Sequence, residues 1–160
     1  MLPKEVNEMA QRQITYREAI IEAMREEMRR DERVFLIGED VGTLGGVYGT
    51  SLGLLQEFGA ERVLDTPLSE AAIAGFAVGA AMVGMRPVAE IMRVDWITLC
   101  MDEIVNQAAK MRYMSAGRVG VPMTIRTNTG AGISLGPQHS GSFESLFAHV
   151  PGLQAALSGA

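Results

Sequence analysis

Four side chains in this sequence could carry chemistry together: two glutamates, one tryptophan and one histidine. Glu39, Glu70 and Trp96 each come shortly after a predicted strand, and His139 lies in the glycine-rich loop after a fourth strand. A carboxylate or an imidazole can move a proton, and an indole face can stack on a planar ligand. Because ligands of open parallel sheets bind beyond the carboxyl ends of the strands, we expect the four side chains to converge on one site.

Each glutamate also has an interpretation that involves no ligand. Glu70 falls in the first turn of a predicted helix, where the helix dipole stabilises any carboxylate. Glu39 follows its strand into a polar loop and could be an ordinary solvated acid. Position along the sequence leaves both alternatives open for both residues.

The two histidines differ in their surroundings. His139 lies in the polar stretch Gly-Pro-Gln-His-Ser, where a buried structural role is less natural, so we favour a functional role. His149 precedes Val-Pro-Gly among apolar neighbours, and we interpret it as a hydrogen-bonded structural residue. Only His139 is therefore included in the candidate site.

The composition argues against several classes of partner. The 19 acidic and 14 basic residues give a net charge of -5 and form no basic patch, so we expect neither nucleic acid nor anionic lipid as a partner. The apolar stretch 71–85 is shorter than the ~20 residues that a membrane-spanning helix needs. The lone cysteine, Cys100, and the lack of a secretory leader favour a reducing, cytoplasmic compartment.

Phosphate and metal motifs are weak in this sequence. The glycines at 130 and 132 lack the Lys-Ser/Thr of a phosphate loop and do not match the dinucleotide fingerprint. One cysteine, two separated histidines and no paired acids of ligand spacing undersupply a metal site. We therefore expect this chain to bind no metal by itself.

The elements that must position these residues alternate between strand and helix. Apolar runs predict strands at residues 34–37, 62–64, 87–92 and 121–127. Helical spacing predicts helices from a Thr15/Glu18 capping box to the charged stop 29–31, at 54–58, from Ser69 as cap to about 84, and at 97–114. Strands that alternate with helices indicate an α/β fold, in which a parallel sheet is flanked by helices.

The predicted helix that begins at Ser69 is unusual in its small residues. Gly75, Gly79 and several alanines leave it almost without side-chain bulk. Such a surface allows another backbone to approach closely. We expect this helix to lie in a subunit interface or directly beneath one.

Several long segments in a consistent order resemble the beta subunits of thiamine-diphosphate-dependent 2-oxo acid dehydrogenases, a family that includes pyruvate, branched-chain 2-oxo acid and acetoin dehydrogenases. The resemblance covers residues 14–153 and implies the pyrimidine-binding fold of the transketolase type. The segments that carry it are VFLIGEDVG, RVLDTPLSEAAIAGFAVGAAMVGMRPVAEIM, MDEIVNQAAKMRYMSAG, VPMTIRTNTGAG and QHSGSFESLFAHVPGL.

The resemblance implies a cofactor that two chains share. In the family, the beta subunit binds the aminopyrimidine of thiamine diphosphate, and the alpha subunit binds the diphosphate through magnesium. The resemblance places Glu70 against a pyrimidine nitrogen, where the carboxyl group promotes the imino tautomer that deprotonates the thiazolium carbon. The resulting carbanion attacks the substrate carbonyl, and carbon dioxide leaves when the substrate is a 2-oxo acid.

The same resemblance implies roles for the other candidate residues. Trp96 takes the place of the usual phenylalanine that stacks on the pyrimidine, while Leu68 and Met92 line the pocket. His139 matches a histidine that assists acyl transfer to the lipoyl group of the next enzyme. Glu39 matches an acid near the cofactor that helps to link active sites by proton transfer.

The resemblance also implies how the chain is organised and what it assembles with. We expect an N-terminal arm at residues 1–13, a pyrimidine-binding domain at 14–153 and a short tail at 154–160, without the second domain of the family. The implied partners are an alpha subunit, a second beta subunit and a lipoyl-bearing acyltransferase. The alternative is a non-catalytic fragment that acts only as a heterodimerisation module.

Overall fold

The structure, a computed structural model, describes residues 12–130, 132 and 134–157. Most of the predicted N-terminal arm and the last three residues of the predicted tail lie outside the described residues. Ala131, in the predicted glycine-rich loop, lies outside them as well.

A four-stranded parallel sheet forms the centre of the described chain. The strands are β1 (Val34–Gly38), β2 (Val63–Asp65), β3 (Arg86–Glu90) and β4 (Thr124–Arg126), in the spatial order β2-β1-β3-β4. All five residues of β1 are buried, as expected for a central strand covered on both faces. The predicted α/β class with a parallel sheet is confirmed.

Two buried clusters cover the two faces of the sheet, and side-chain alternation along β1 divides them. Phe35 and Ile37 belong to a cluster with helix α3 (Glu70–Met82), whereas Val34 and Leu36 belong to a cluster with helix α1 (Tyr16–Arg30). The remaining helices are α2 (Leu54–Phe58), α4 (Ala109–Met114) and α5 (Glu144–Ala148).

The predicted capping box of α1 is present in the structure. The Glu18 backbone N–H donates to the Thr15 hydroxyl at 3.2 Å, and the Thr15 backbone N–H donates to the Glu18 carboxylate at 2.7 Å. The predicted cap at Ser69 is wrong, because its hydroxyl donates to the Pro67 carbonyl and makes no hydrogen bond to α3. Helix α3 therefore begins at Glu70 without a side-chain cap.

The predicted helix 97–114 is wrong as a single regular element. The chain there passes from a 3-10 turn (Trp96–Cys100) through a π-helical stretch (Asp102–Ala108) into α4. The Asp102 carboxylate accepts hydrogen bonds from side chains four and five residues later, Asn106 and Gln107. A contact at five residues fits the wider winding of a π-helix.

All four strands differ somewhat from their predicted bounds, β1 and β2 by at most one residue at either end and β3 and β4 by up to three residues. Strand β4 starts at Thr124 and not at residue 121, because Pro122 has no N–H to give to the ladder. Strand β3 ends at Glu90, so that Met92 follows the strand and does not belong to it.

The glycine-rich loop 42–53 is fastened to the end of β2 by one carboxylate. Asp65 accepts the backbone N–H of Gly42 at 2.6 Å and that of Thr43 at 2.8 Å. Burial alone raises the pKa of Asp65, but hydrogen bonds from Thr43 and Gly42 outweigh burial and lower it. The loop after β1 is thereby held at the carboxyl edge of the sheet.

Candidate active site

The parallel arrangement brings the ends of all four strands to one edge of the sheet. Glu39 follows β1 directly, and Glu70 lies five residues beyond the last residue of β2. Met92 and Trp96 lie on the segment that follows β3, and His139 lies beyond β4. Each predicted site residue therefore comes after the carboxyl end of a strand, as the sequence indicated.

Glu39 and Glu70 interact through their charges. The Glu39 Oε1 atom is buried and has no hydrogen-bond partner among the described residues. Burial and, next, the nearby Glu70 carboxylate raise the pKa of Glu39, while a hydrogen bond from the Ser69 backbone N–H acts in the opposite direction. Glu39 therefore keeps a proton to higher pH than an ordinary glutamate, and Glu70 is close enough for its charge to act on Glu39.

Trp96 and His139 form a second pair. Their ring centroids lie 5.6 Å apart and their planes are inclined by 89°, which is an edge-to-face contact. Both side chains are partly buried, Trp96 at the start of the 3-10 turn and His139 at the end of a short turn, Pro137–His139. The structure thus joins two predicted site residues that are far apart in sequence.

Met92 and Leu68 lie in neither pair. Met92 helps to line a small cavity of about 60 Å³ at the ends of β3 and β4. Leu68 is 82% exposed on the segment between β2 and α3. A single exposed leucine is common on protein surfaces, so its exposure alone does not define a binding surface.

Three charged residues near the site were missed by the sequence analysis. Glu90, only 5% exposed, makes an ion pair with Arg126, and burial lowers the pKa of Arg126 to about 10. Arg93, only 2% exposed, donates to the Tyr48 hydroxyl and to a backbone carbonyl. For Glu90 and Arg126 the available signal was a charge at the end of an apolar strand, where burial had to be matched by a polar partner.

The part of the chain that the structure describes offers no metal centre and no membrane span. No three His, Cys, Asp or Glu side chains of these residues are grouped so that they could hold a metal ion. No helix among the same residues is both long and apolar enough to cross a membrane.

The fold and the site define a class of protein: a parallel α/β domain that presents acidic and aromatic side chains at the carboxyl edge of its sheet. The sequence matches the family described as "Transketolase, pyrimidine binding domain" over residues 12–158. The chain belongs to this family.

Known beta subunits are similar to the chain over most of its length. It is 48% identical over 158 residues to the acetoin:2,6-dichlorophenolindophenol oxidoreductase subunit beta of Bacillus subtilis strain 168, covering 91% of this chain and 46% of the relative. It is 48% identical over 144 residues to the 2-oxoisovalerate dehydrogenase subunit beta of that organism, covering 90% and 44%. It is 49% identical over 145 residues to the mitochondrial pyruvate dehydrogenase E1 component subunit beta-2 of Oryza sativa subsp. japonica, covering 91% and 39%.

The chain therefore spans less than half the length of the curated relatives that it matches. Among solved structures, it is similar to a split-gene transketolase described as an inactive beta4 tetramer, with a TM-score of 0.62 and 18% sequence identity. That similarity covers 84% of this chain and 40% of the transketolase chain. At this identity, it supports the fold alone.

Proposed function

We propose that the chain is the pyrimidine-binding part of the beta subunit of a thiamine-diphosphate-dependent 2-oxo acid or acetoin dehydrogenase. The observation that carries this proposal is the acid pair Glu39 and Glu70 at the carboxyl edge of the sheet. The similarity to beta subunits of three such enzymes supports it. The same site residues favour catalysis over a module that serves only heterodimerisation.

The residues at this edge fit an aminopyrimidine ring. Glu70 supplies a carboxylate at the start of α3, and the exposed Leu68 supplies an apolar surface two residues earlier. The indole of Trp96 is flat and only partly buried, so one face can receive a planar ring. The buried Oε1 of Glu39, which lacks a hydrogen-bond partner among the described residues, can take a donor from a ligand.

Proton control is the main contribution of this chain. When bound, thiamine diphosphate supplies an electron sink for cleavage of the bond next to a carbonyl group. Glu70 holds a proton at a pyrimidine nitrogen, and this contact orients the ring as well as setting its protonation. Glu39, whose pKa is raised by burial and by the Glu70 carboxylate, is a second acid close by, which can return a proton to Glu70 after Glu70 has given its own proton to the ring nitrogen.

The remaining site residues orient the ligand or act at a later step. Trp96 stacks on the pyrimidine, and Leu68 and Met92 line the pocket. His139, held edge-to-face against Trp96, moves a proton during acyl transfer to a lipoyl group. We thus assign orientation to three side chains and proton movement to the imidazole.

The site needs partners to become complete. We propose that an alpha subunit binds the diphosphate through magnesium, since the described residues of this chain group no metal ligands. A second beta subunit completes a heterotetramer, and a lipoyl-bearing acyltransferase receives the acyl group. The substrate is pyruvate, a branched-chain 2-oxo acid or acetoin, as for the similar beta subunits.

The substitution Glu70→Gln tests this function, because glutamine keeps the shape of glutamate and cannot ionise. In the complex of this chain with an alpha subunit, we expect exchange of the thiazolium proton with deuterated solvent to slow by at least ~100-fold to ~10,000-fold, the usual contribution of an acid-base group. The exchange is measured by proton NMR, and cofactor affinity is measured by calorimetry.

Glu61→Gln is the matched control, since it makes the same chemical change at an exposed residue. Glu61 lies just before the start of β2, at the edge of the sheet opposite to the site. We expect it to exchange at the parent rate. If Glu70→Gln bound the cofactor equally well and also exchanged at the parent rate, Glu70 would be only a helix-start carboxylate and the proposed function would fail.

A further inference from the structure

One carboxylate links the segment after β3 to the loop that carries His139. Asp95 is partly buried, and its Oδ1 atom accepts the backbone N–H of Gly141 at 3.0 Å. The two residues are 46 positions apart. Asp95 precedes Trp96 directly, so the residue that fastens the loop adjoins the ring against which His139 packs.

The two ends of the loop that carries His139 contact each other at Gly130, where there is no room for a side chain. The Gly130 N–H donates to the Gly141 carbonyl at 3.2 Å. A Cβ atom on Gly130 would lie 2.0 Å from the Ser140 Cα and 2.5 Å from the His139 carbonyl oxygen. Backbone therefore packs directly on backbone immediately beside His139.

Space around Gly141 is just as limited, and this fixes the position of the Asp95 carboxylate. A Cβ atom on Gly141 would lie 2.7 Å from Asp95 Oδ1 and 2.8 Å from the ring of Phe143. The Val94 N–H, one residue before Asp95, donates to the Asn128 carbonyl at 3.1 Å. The segment after β3 thus contacts the loop that carries His139 at two places, through Val94 before the histidine and through Asp95 after it.

We propose that Asp95 is a positioning residue that holds the His139 loop, so that the imidazole is kept edge-to-face on Trp96. The proposal rests on the proposed function for its catalytic meaning, because His139 acts there in acyl transfer. Its physical basis is independent of that function. Without the Oδ1 acceptor, the partly buried Gly141 N–H loses its hydrogen-bond partner. Because an unsatisfied buried N–H is costly, the loop then favours a position in which a water molecule accepts the Gly141 N–H.

The test uses the unliganded chain and the position of the His139 ring. We expect Asp95→Ala to shift the proton resonances of the His139 ring away from their parent values, because the imidazole loses its edge-to-face contact with the aromatic ring of Trp96. Asp95→Asn keeps a carbonyl oxygen that can accept the Gly141 N–H, so it restores the parent resonances. Thermal unfolding of each variant confirms that the fold is intact.

Asp65→Ala is the matched control, because Asp65 also fastens a loop by accepting backbone N–H groups, but the loop is a different one. It leaves the His139 resonances in place. If Asp95→Ala does not fold, Gly141→Ala disturbs the same contact from its other side, since the added Cβ would crowd Asp95 Oδ1. Parent-like His139 resonances in a folded Asp95→Ala or Gly141→Ala variant would overturn the proposal.

A second measurement separates this inference from the proposed function. In the complex with an alpha subunit, we expect Asp95→Ala to slow acyl transfer to lipoamide by roughly 100-fold, the effect of displacing a reacting group by about 1 Å. A shifted ring with an unchanged transfer rate supports the positioning by Asp95 and removes the transfer function assigned to His139. An unshifted ring overturns the positioning, whatever the enzyme's activity.

Discussion

At the scale of single residues, Glu39 is the acid of the candidate site whose environment disfavours its charge. Burial and, next, the charge of Glu70 make the ionised form of Glu39 less favourable than it is for an ordinary glutamate. Glu39 is therefore an acid whose folded-state pKa lies above its unfolded-state pKa. Such a group contributes stability below its unfolded pKa and loses that contribution as the pH rises through its folded pKa.

The raised folded-state pKa of Glu39 predicts the effect of Glu39→Gln on stability. Because glutamine is neutral at every pH, we expect the variant to unfold at a higher temperature than the parent protein at pH 7. The difference should disappear below about pH 4, where glutamate is protonated in the unfolded chain as well. Thermal unfolding across this pH range, followed by circular dichroism, measures it. A variant less stable than the parent at pH 7 would contradict the burial argument.

Sequence alone could place the candidate residues after the strand ends but could not predict their contacts. Glu39, Glu70, Trp96 and His139 were predictable because strand ends and glycine loops fix positions along the chain. The hydrogen bond from Gly141 to Asp95 was not, since it joins residues 46 positions apart. Such a contact depends on how two loops pack and leaves no periodic pattern in the sequence.

At the scale of elements, α1 owes its start to a local signal. The Thr15 and Glu18 side chains satisfy two backbone N–H groups at the first turn of the helix. This signal spans four residues, so it could be predicted correctly. Helix α1 in turn provides Met24 and Met28 to one face of the sheet.

Thr15→Ala removes this cap, and we expect it to destabilise the protein by about 1 kcal/mol. For a chain of this size, that loss lowers the unfolding temperature by roughly 2–4 °C. Thr15→Ser retains the hydroxyl oxygen and is expected to stay close to the parent protein. Differential scanning calorimetry makes the comparison. Equal losses in both variants would point to the lost methyl group and not to the cap.

The segment that begins at Trp96 shows what periodicity misses. Ile97, Cys100 and Ile104 are buried at spacings of three and four residues, which is the pattern of an ordinary α-helix. The backbone nevertheless changes winding twice along this stretch. Burial pattern and backbone winding are separate properties, and only the first is visible as a hydrophobic period.

At the scale of the whole molecule, α3 is apolar on both its buried and its open sides. It buries Ile73, Ala74, Ala77, Val78 and Ala81, and it packs on both the sheet and the segment that runs from the 3-10 turn through the π-helical stretch. Phe76 is nevertheless 53% exposed, and Val83 just after the helix is 83% exposed. A helix that is apolar all round is typical of one covered on both sides. The exposed apolar side chains of α3 agree with the predicted position of the helix at a subunit interface.

Gly79→Leu tests that interface. A Cβ atom on Gly79 meets nothing within 4 Å in this chain, so the larger side chain is accommodated within the subunit itself. Against a partner subunit, we expect the leucine side chain to overpack the interface at a cost of about 1–3 kcal/mol. This cost corresponds to roughly 5-fold to 150-fold weaker association of the subunits. Sedimentation velocity of the chain, alone and mixed with an alpha subunit, measures it.

Gly120→Leu is the control for this experiment, because Gly120 also has open space around it and lies outside α3. It should associate as the parent protein does. If Gly79→Leu associated equally well, the open face of α3 would not be part of the interface.

The strand order has a consequence for synthesis of the chain. Of the four described strands, β1 is made first, yet it lies between β2 and β3 in the finished sheet and pairs with both. It ends at Gly38, and β3 begins only at Arg86. At ~5–20 residues per second, its apolar Val-Phe-Leu-Ile run waits for seconds without its second neighbour. An apolar strand that waits with an unpaired edge is prone to aggregation, which is the hazard that chaperones counter during synthesis.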